Sequence, residues 1–296
     1  MQKGGRFCRQ GEATHSHRWV SPSNQNKMAN EKYLLYGGKI ILEFDPQYHA
    51  YSVKGKPVYG VTSISGILAK PGLMYWAVDQ AIDYIQANIE PGVALDEIQI
   101  KNLLEKARTA HTETRDKAAD IGTLIHDWVA SYIKALVAKQ KPPKKPVNKE
   151  MRSAIDGFFK WAKVNKLVVI KSEQKIYHDK YGYAGTLDLE AMVNGKRTII
   201  DIKTGSKLYP EAFLQASAYL KAREQEIGKS FPGGVIILRL SKEVTDEQKR
   251  VIIAPFEEKK DEDVETHFKA FLHCLAIYRW IVAMKKQEAI SKINGK

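Results

Sequence analysis

The chain is poor in cysteine. Only Cys8 and Cys274 occur in 296 residues. A disulfide framework and a four-cysteine zinc or iron–sulfur site are therefore excluded, and a reducing, intracellular setting is expected. No apolar run approaches the roughly 18 residues that a membrane-spanning helix needs, so no membrane partner is expected. A phosphate loop is also missing. Gly228-Lys229-Ser230 has the ending of one, but the glycine required five residues earlier is Arg223, so no use of ATP is expected. Acidic residues are outnumbered, 34 against 47 basic, for a net charge of +13. That balance favours polyanionic partners, nucleic acid first. Residues 1–30 carry one acid, Glu12, and no apolar signal segment, and they read as a disordered basic tail. Cytoplasmic localisation is the expectation, with an organellar transit peptide as the lesser alternative.

What the chain does have is a dense hairpin from Gly185 to Lys203. Asn194-Gly195 is the strongest short-range signal for a two-residue hairpin turn. With that turn, Val193 faces Lys196, and the register runs back to set Asp188 opposite Asp201. Opposed Cβ atoms in such a ladder lie about 4.5–5.5 Å apart. Lys203 follows Asp201 by two and projects from the same face. Leu187, Leu189, Val193, Ile200 and Ile202 read as core on the other face. At about 5 Å and an effective dielectric near 20, two carboxylates repel by roughly 3 kcal/mol. A divalent cation between them would relieve this, and carboxylate oxygens suit Mg²⁺ or Mn²⁺. The bland alternative is a solvated polar face with a chance pair.

Around the hairpin, apolar periodicity and turn residues predict short strands at 39–44, 51–53 and 58–61, with Thr62 or Ser63 capping a helix. A helix is predicted over 76–89 and one or two more over 95–136. Lys139 to Lys149 reads as an exposed basic, proline-rich connection. Then follow a helix over 154–164, a strand over 166–178, the hairpin, a helix from Pro210 to about Glu226, strands at 235–240 and around 250–254, and a closing helix over 262–286. This order makes a mixed α/β core capped by the preceding helices.

Other residues could join the hairpin. Gln215 and Tyr219 are spaced i, i+4 on the helix that follows it, and share one face. His126 lies in Asp120-Ile-Gly-Thr-Leu-Ile-His126, within a predicted helix, where a lone histidine is more often structural. Gly122 in the same stretch is unfavourable by about 1 kcal/mol relative to alanine, which suggests close packing there. Glu173, on the preceding strand, is placed to orient a ligand or a water, or else is a surface charge beside Lys171 and Lys175. Trp76 and Tyr84 of the cap read as core or as a stacking surface for a single strand.

The order His126, Gly185-Thr-Leu-Asp188, Asp201-Ile-Lys203 and Gln215-Ala-Ser-Ala-Tyr219 resembles the PD-(D/E)XK nuclease superfamily, in particular its RecB-type exonuclease branch. Phe44-Asp-Pro-Gln-Tyr-His-Ala-Tyr-Ser-Val53 ahead of Val61-Thr-Ser63 is similar to the opening of phage-type members, and the mitochondrial genome-maintenance exonucleases are similar as well. The resemblance implies a restriction-endonuclease-like α/β core over 150–296. Residues 31–140 would be strands and a helical cap, and 141–149 the connection. It implies His126, Asp188, Asp201 and the carbonyl of Ile202 as ligands of Mg²⁺ or Mn²⁺. Lys203 would be the catalytic lysine with Glu173 beside it, and Gln215 and Tyr219 would contact substrate or support the site. The implied activity is metal-dependent DNA exonuclease action in recombination, repair or replication, alongside proteins of those processes. A catalytically dead nucleic-acid-binding subunit, an endonuclease and an RNase of the same fold are the competing readings.

Overall fold

In the computed structural model, residues 30–242 and 256–294 are described. The expected basic tail and the strand expected around 250–254 lie outside them. Nine strands form one mixed sheet: β1 (Glu31–Leu35), β2 (Ile40–Asp45), β3 (Ala50–Val53), β4 (Lys56–Gly60), β5 (Val168–His178), β6 (Tyr183–Val193), β7 (Lys196–Lys203), β8 (Val235–Leu240) and β9 (Phe256–Lys260). The helices are α1 (Val61–Ser65), α2 (Pro71–Asn88), α3 (Glu97–Val137), α4 (Lys149–Val164), α5 (Glu211–Ile227) and α6 (Val264–Asn294). Among the described residues, no helix is long and apolar enough to cross a membrane.

Both faces of the sheet are covered, which is why its central strands read as nearly continuous apolar runs. Val61, Ile64, Tyr183, Ile199, Leu214 and Phe271 join α1, α5 and α6 to one face. Ile125, Val129, Phe158, Trp161, Ile200 and Leu238 join α3 and α4 to the other. The N-terminal strands are not detached from this core. β4 pairs in parallel with the start of β6, and Leu42, Phe44 and Tyr51 pack with Tyr177 and Ala184. The span expected as one or two helices is a single 41-residue α3, opened by a capping box in which Asp96 accepts from Gln99 N–H. Thr62 and Ser63 do not cap α1; they lie inside it, and Gly60 holds the cap position without a side-chain bond. The helix α2 has no buried residue, exposes Leu73, Met74 and Tyr75, and packs against α3. Trp128 Nε1 donates to the Lys144 carbonyl and Lys145 pairs with Asp156 at 2.7 Å, which ties the basic connection to α3 and α4.

The site is positioned by one property of β6. Along one edge β6 pairs with β5 from Tyr183 to Met192, with the Asp188 position left out. Along the other it pairs with β4 at Tyr183 and Ala184, then with β7 from Leu189 onward. Residues 185–188 fall in the gap where one neighbour has turned away into α1 and the next has not yet begun. Backbone and side chains at a divergence of strands are left to line a crevice, as ligand sites of open α/β sheets do.

Candidate metal centre and catalytic cleft

The hairpin turns at Asn194-Gly195 with both φ positive, 48° and 79°, as a type I′ turn requires. Val193 faces Lys196 as the turn predicts. The ladder ends at Leu189–Ile200, one pair short of Asp188 and Asp201. Asp188 accepts from the Ile202 N–H at 2.6 Å instead, so its carboxylate takes the place of a strand carbonyl. The five apolar hairpin residues are all buried, but they do not share a face. Leu187 packs with α5 and α6, whereas Leu189, Val193, Ile200 and Ile202 pack with α3 and α4. The side-chain alternation breaks between Leu187 and Leu189, at Asp188.

Its neighbour on β5 is distorted as well. The β5–β6 ladder runs through Ser172–Leu189 and Gln174–Leu187 and omits the Glu173–Asp188 pair between them. Glu173 has φ of 50°, in the left-handed region that costs a non-glycine residue of order 1–3 kcal/mol. The kink brings the Glu173 carboxylate to Asp188 and His126. Ligand atoms of these three residues lie within 4.8 Å of one another. Asp201 is outside that trio and pairs with Lys203 Nζ at 2.7 Å.

The helix α3 carries His126 over the sheet, with Nδ1 3.5 Å from Asp188 Oδ1. Gly122, one turn earlier, explains how α3 comes so close: a Cβ there would sit 2.8 Å from Thr204 Oγ1. Lys203 Nζ donates to Gln215 Oε1 at 3.2 Å, and Gln215 Nε2 donates to Ser65 Oγ at 2.8 Å. The Gln215 amide, largely buried, thus holds the lysine from behind. Tyr219 hydrogen-bonds Thr62 and lies against Gly185, where a Cβ would be 2.7 Å from its Cε1.

The electrostatics follow from crowding. Burial, then the Asp188 charge, pushes Glu173 up to about 7. Burial raises Asp201 above the usual carboxylate range, although Lys203 opposes it. Burial acts on Asp188 in the same sense, but His126 and Lys203 outweigh it and hold the carboxyl low. Burial disfavours the charged forms of His126 and Lys203, yet the facing carboxylates carry both above their ordinary values.

A cleft of about 540 Å³ opens here, between α1, α3 and the 185–188 gap. All eight residues singled out from the sequence line it: His126, Glu173, Asp188, Asp201, Ile202, Lys203, Gln215 and Tyr219. Trp76 and Tyr84 are not among its lining; both are half-buried in α2. Sequence reasoning missed Ser65 and Thr62, which anchor Gln215 and Tyr219. It also missed Tyr51, whose hydroxyl meets Thr186 Oγ1 at 2.9 Å on the cleft wall. Small hydroxyl residues in a short helix give no signal of their own until the fold sets that helix against α5. Two carboxylates and an imidazole this close form a donor set that suits a divalent cation.

No family model matches the chain, and no curated protein matches it. Among solved structures it is similar to one described as "Crystal structure of SSO0001", with 12% identity over 70% of this chain and 86% of that one and a TM-score of 0.27, too distant to carry an argument.

Proposed function

We propose that the protein is a metal-dependent deoxyribonuclease of the PD-(D/E)XK type, and that it acts as an exonuclease. The single observation that carries this reading is the cleft itself. Three acids, one imidazole and one lysine, drawn from α3, β5, β6 and β7, converge on the one stretch of β6 that lacks an edge partner on that side. A fold gains nothing from carboxylates pushed above their usual range unless a cation belongs among them. His126, Asp188 and Asp201 are the residues that would hold Mg²⁺ or Mn²⁺, as the resemblance implies, and Glu173 adds a donor beside the first two.

The ion would polarise the phosphoryl oxygen and make a water a better nucleophile. The chain's own residues supply the rest. The Lys203 ammonium, held by Gln215 and Asp201, would meet the negative charge that builds on the phosphoryl group. Gln215 fixes that ammonium through a bond to Ser65, so the lysine does not have to reorganise during the reaction. The Asp188 bond to Ile202 N–H locks the carboxylate's orientation. The chain's net charge of +13 favours approach of a polyanion. The helical histidine and the Gln215–Tyr219 pair favour the exonuclease branch by resemblance.

The test is digestion of end-labelled single- and double-stranded DNA, and of circular DNA, with Mg²⁺ or Mn²⁺. EDTA and Asp201→Ala serve as controls. Metal-dependent loss of label from linear DNA only, absent in the variant, is the expected result. Cleavage of circles would replace the exonuclease by an endonuclease. Tight DNA binding with no cleavage under either metal would sink the catalytic reading.

A further inference from the structure

Glu173 is a wall between two cavities. One is the catalytic cleft. The other, of about 490 Å³, is lined by β1, β5 and the C-terminal end of α3, and shares Glu173 with the cleft. A pocket of this size matches a small-molecule site. Its wall is apolar, with Tyr33, Leu34, Val137 and Ile170. The last three of these are exposed. Its charged lining is led by Lys134, Lys171 and Lys175.

The charge around this cavity is unbalanced. None of the three lysines has an ion-pair partner among the described residues, whereas nearby carboxylates are engaged elsewhere. Glu226 pairs with Arg223 at 2.7 Å, and Glu31 accepts from the Tyr33 hydroxyl. Glu173 faces His126 and Asp188. Lys175 Nζ lies over the Phe44 ring at 4.1 Å and near that of Tyr33 at 5.9 Å. Burial holds this ammonium below its ordinary range. An apolar wall edged by ammonium groups that form no close ion pair fits a ligand with one flat apolar face and one anionic group.

We propose that this cavity seats one nucleotide of the bound strand next to the phosphodiester in the cleft, with its phosphate drawn to Lys134 and Lys171 and its base against Tyr33 and the apolar wall. The inference rests on the nuclease reading, because that reading puts a phosphodiester on the other side of Glu173. The strand then passes Glu173 from one cavity to the next, and the cleaved bond lies at a fixed distance from the seated nucleotide. The cavity supplies a registering subsite and no chemistry.

The test is fluorescence anisotropy with a short labelled thymidine oligonucleotide in EDTA over a salt series. Wild type is compared with Lys134→Ala/Lys171→Ala and with Lys285→Ala/Lys286→Ala on α6, which removes equal charge elsewhere. Single-strand binding weakens with salt by about 0.7 in log–log slope per neutralised phosphate, so the cavity variant, which loses the one phosphate shared by the two lysines, should lose about 0.7 of slope. The α6 variant should keep its slope. Photocrosslinking from a 4-thiothymidine at successive positions of the same oligonucleotide should label β1 or β5 from one position. Equal slope loss in the two variants, or crosslinks that avoid β1 and β5, would overturn the subsite. Cleavage with Mn²⁺ is assayed separately. Wild-type cleavage with an unchanged cavity-variant slope removes only the subsite. A lost slope and a β1 or β5 crosslink in a protein that never cleaves removes the nuclease reading and leaves the nucleotide site as a binding device.

Discussion

Two carboxylates sit two residues apart on β6 and have opposite fates. Glu190 is fully buried, and both its oxygens are taken: Arg197 bonds Oε1 and Arg223 Nε bonds Oε2 at 2.7 Å. Burial would push its carboxyl up, but the two guanidinium groups win and hold it low. Asp188 meets a histidine at 3.5 Å and a backbone N–H, and it shares its surroundings with Glu173 and Asp201. At Glu190 the acids, with Glu226 included, are matched by two guanidinium groups, and the group is closed. At Asp188 three acids meet one lysine and one imidazole, and the group is open to a cleft. A buried acid with matched cations belongs to the fold; buried acids that crowd one another mark a place where the fold is arranged for something else.

That contrast is breakable in order of size. Glu190→Ala strands Arg223, which is almost entirely buried and keeps only Glu226. Loss of one partner from a buried charge group costs about 3–5 kcal/mol. Chemical denaturation should show that loss, with cleavage per folded molecule unchanged. A loss below about 1 kcal/mol would mean the closed group is not structural. Asp201→Asn should do the reverse. It should leave the midpoint of unfolding close to wild type and reduce metal-dependent cleavage by about 10²–10³-fold, the range for removing one group that stabilises transition-state charge. If Asp201→Asn unfolds the protein and keeps its specific activity, the two groups have been assigned the wrong way round.

Much of the open group was legible because it is local. Asn194-Gly195 sets the register, and the register carries Asp188 toward Asp201 and Lys203 with no need of distant contacts, although the ladder itself stops one pair short of them. Gln215 and Tyr219 follow from helical spacing on the next element. The strand Val235–Leu240 was readable from its apolar run between Gly234 and Ser241. Other features depend on contacts far apart in the chain. The parallel pair between β4 and β6 joins residues more than 120 positions apart, and nothing in Lys56 to Gly60 announces it. Leu187 and Leu189 read as one face because strands alternate, but the strand is irregular where Asp188 leaves its ladder. Glu173 was harder still. A left-handed glutamate in mid-strand has no signature, because glycine, asparagine or aspartate would be the expected residue there. Only the fold reveals that the kink aims it at His126. The counter-ions of Glu190 were equally hidden, since Arg223 reaches β6 from α5.

Smaller changes sharpen the contrast at its edges. Gly185→Ala would place a Cβ 2.7 Å from Tyr219 Cε1 and 3.3 Å from Val61 Cγ2. Both side chains are buried, so relief must come from shifts of α1 and α5. Overpacking of this kind costs about 1–3 kcal/mol. Because α5 also carries Gln215, cleavage should fall together with stability. Unchanged activity in a destabilised variant would show that the hold on Lys203 tolerates movement of α5.

The subtlest prediction concerns Glu173 in the absence of divalent ions. An unconstrained glutamate loses its proton near 4.5, whereas Glu173 keeps its own to about 7. Between those values the folded chain binds more protons at this position than the unfolded one, so stability falls as pH rises through the window. Glu173→Gln removes that slope. In EDTA at pH 7.5 and above, the variant should be the more stable by about 1–2 kcal/mol, discounted for the group's partial exposure, or by about 2–8 °C in Tm for a chain of this size. Below pH 4.5 the difference should vanish. Saturating Mn²⁺ should reverse the order, because the ion stabilises whichever folded chain binds it more tightly, and wild type keeps the extra oxygen donor. If the variant is less stable than wild type in EDTA at every pH, Glu173 is held by the fold in the manner of Glu190, and the open group shrinks to Asp188, Asp201 and His126.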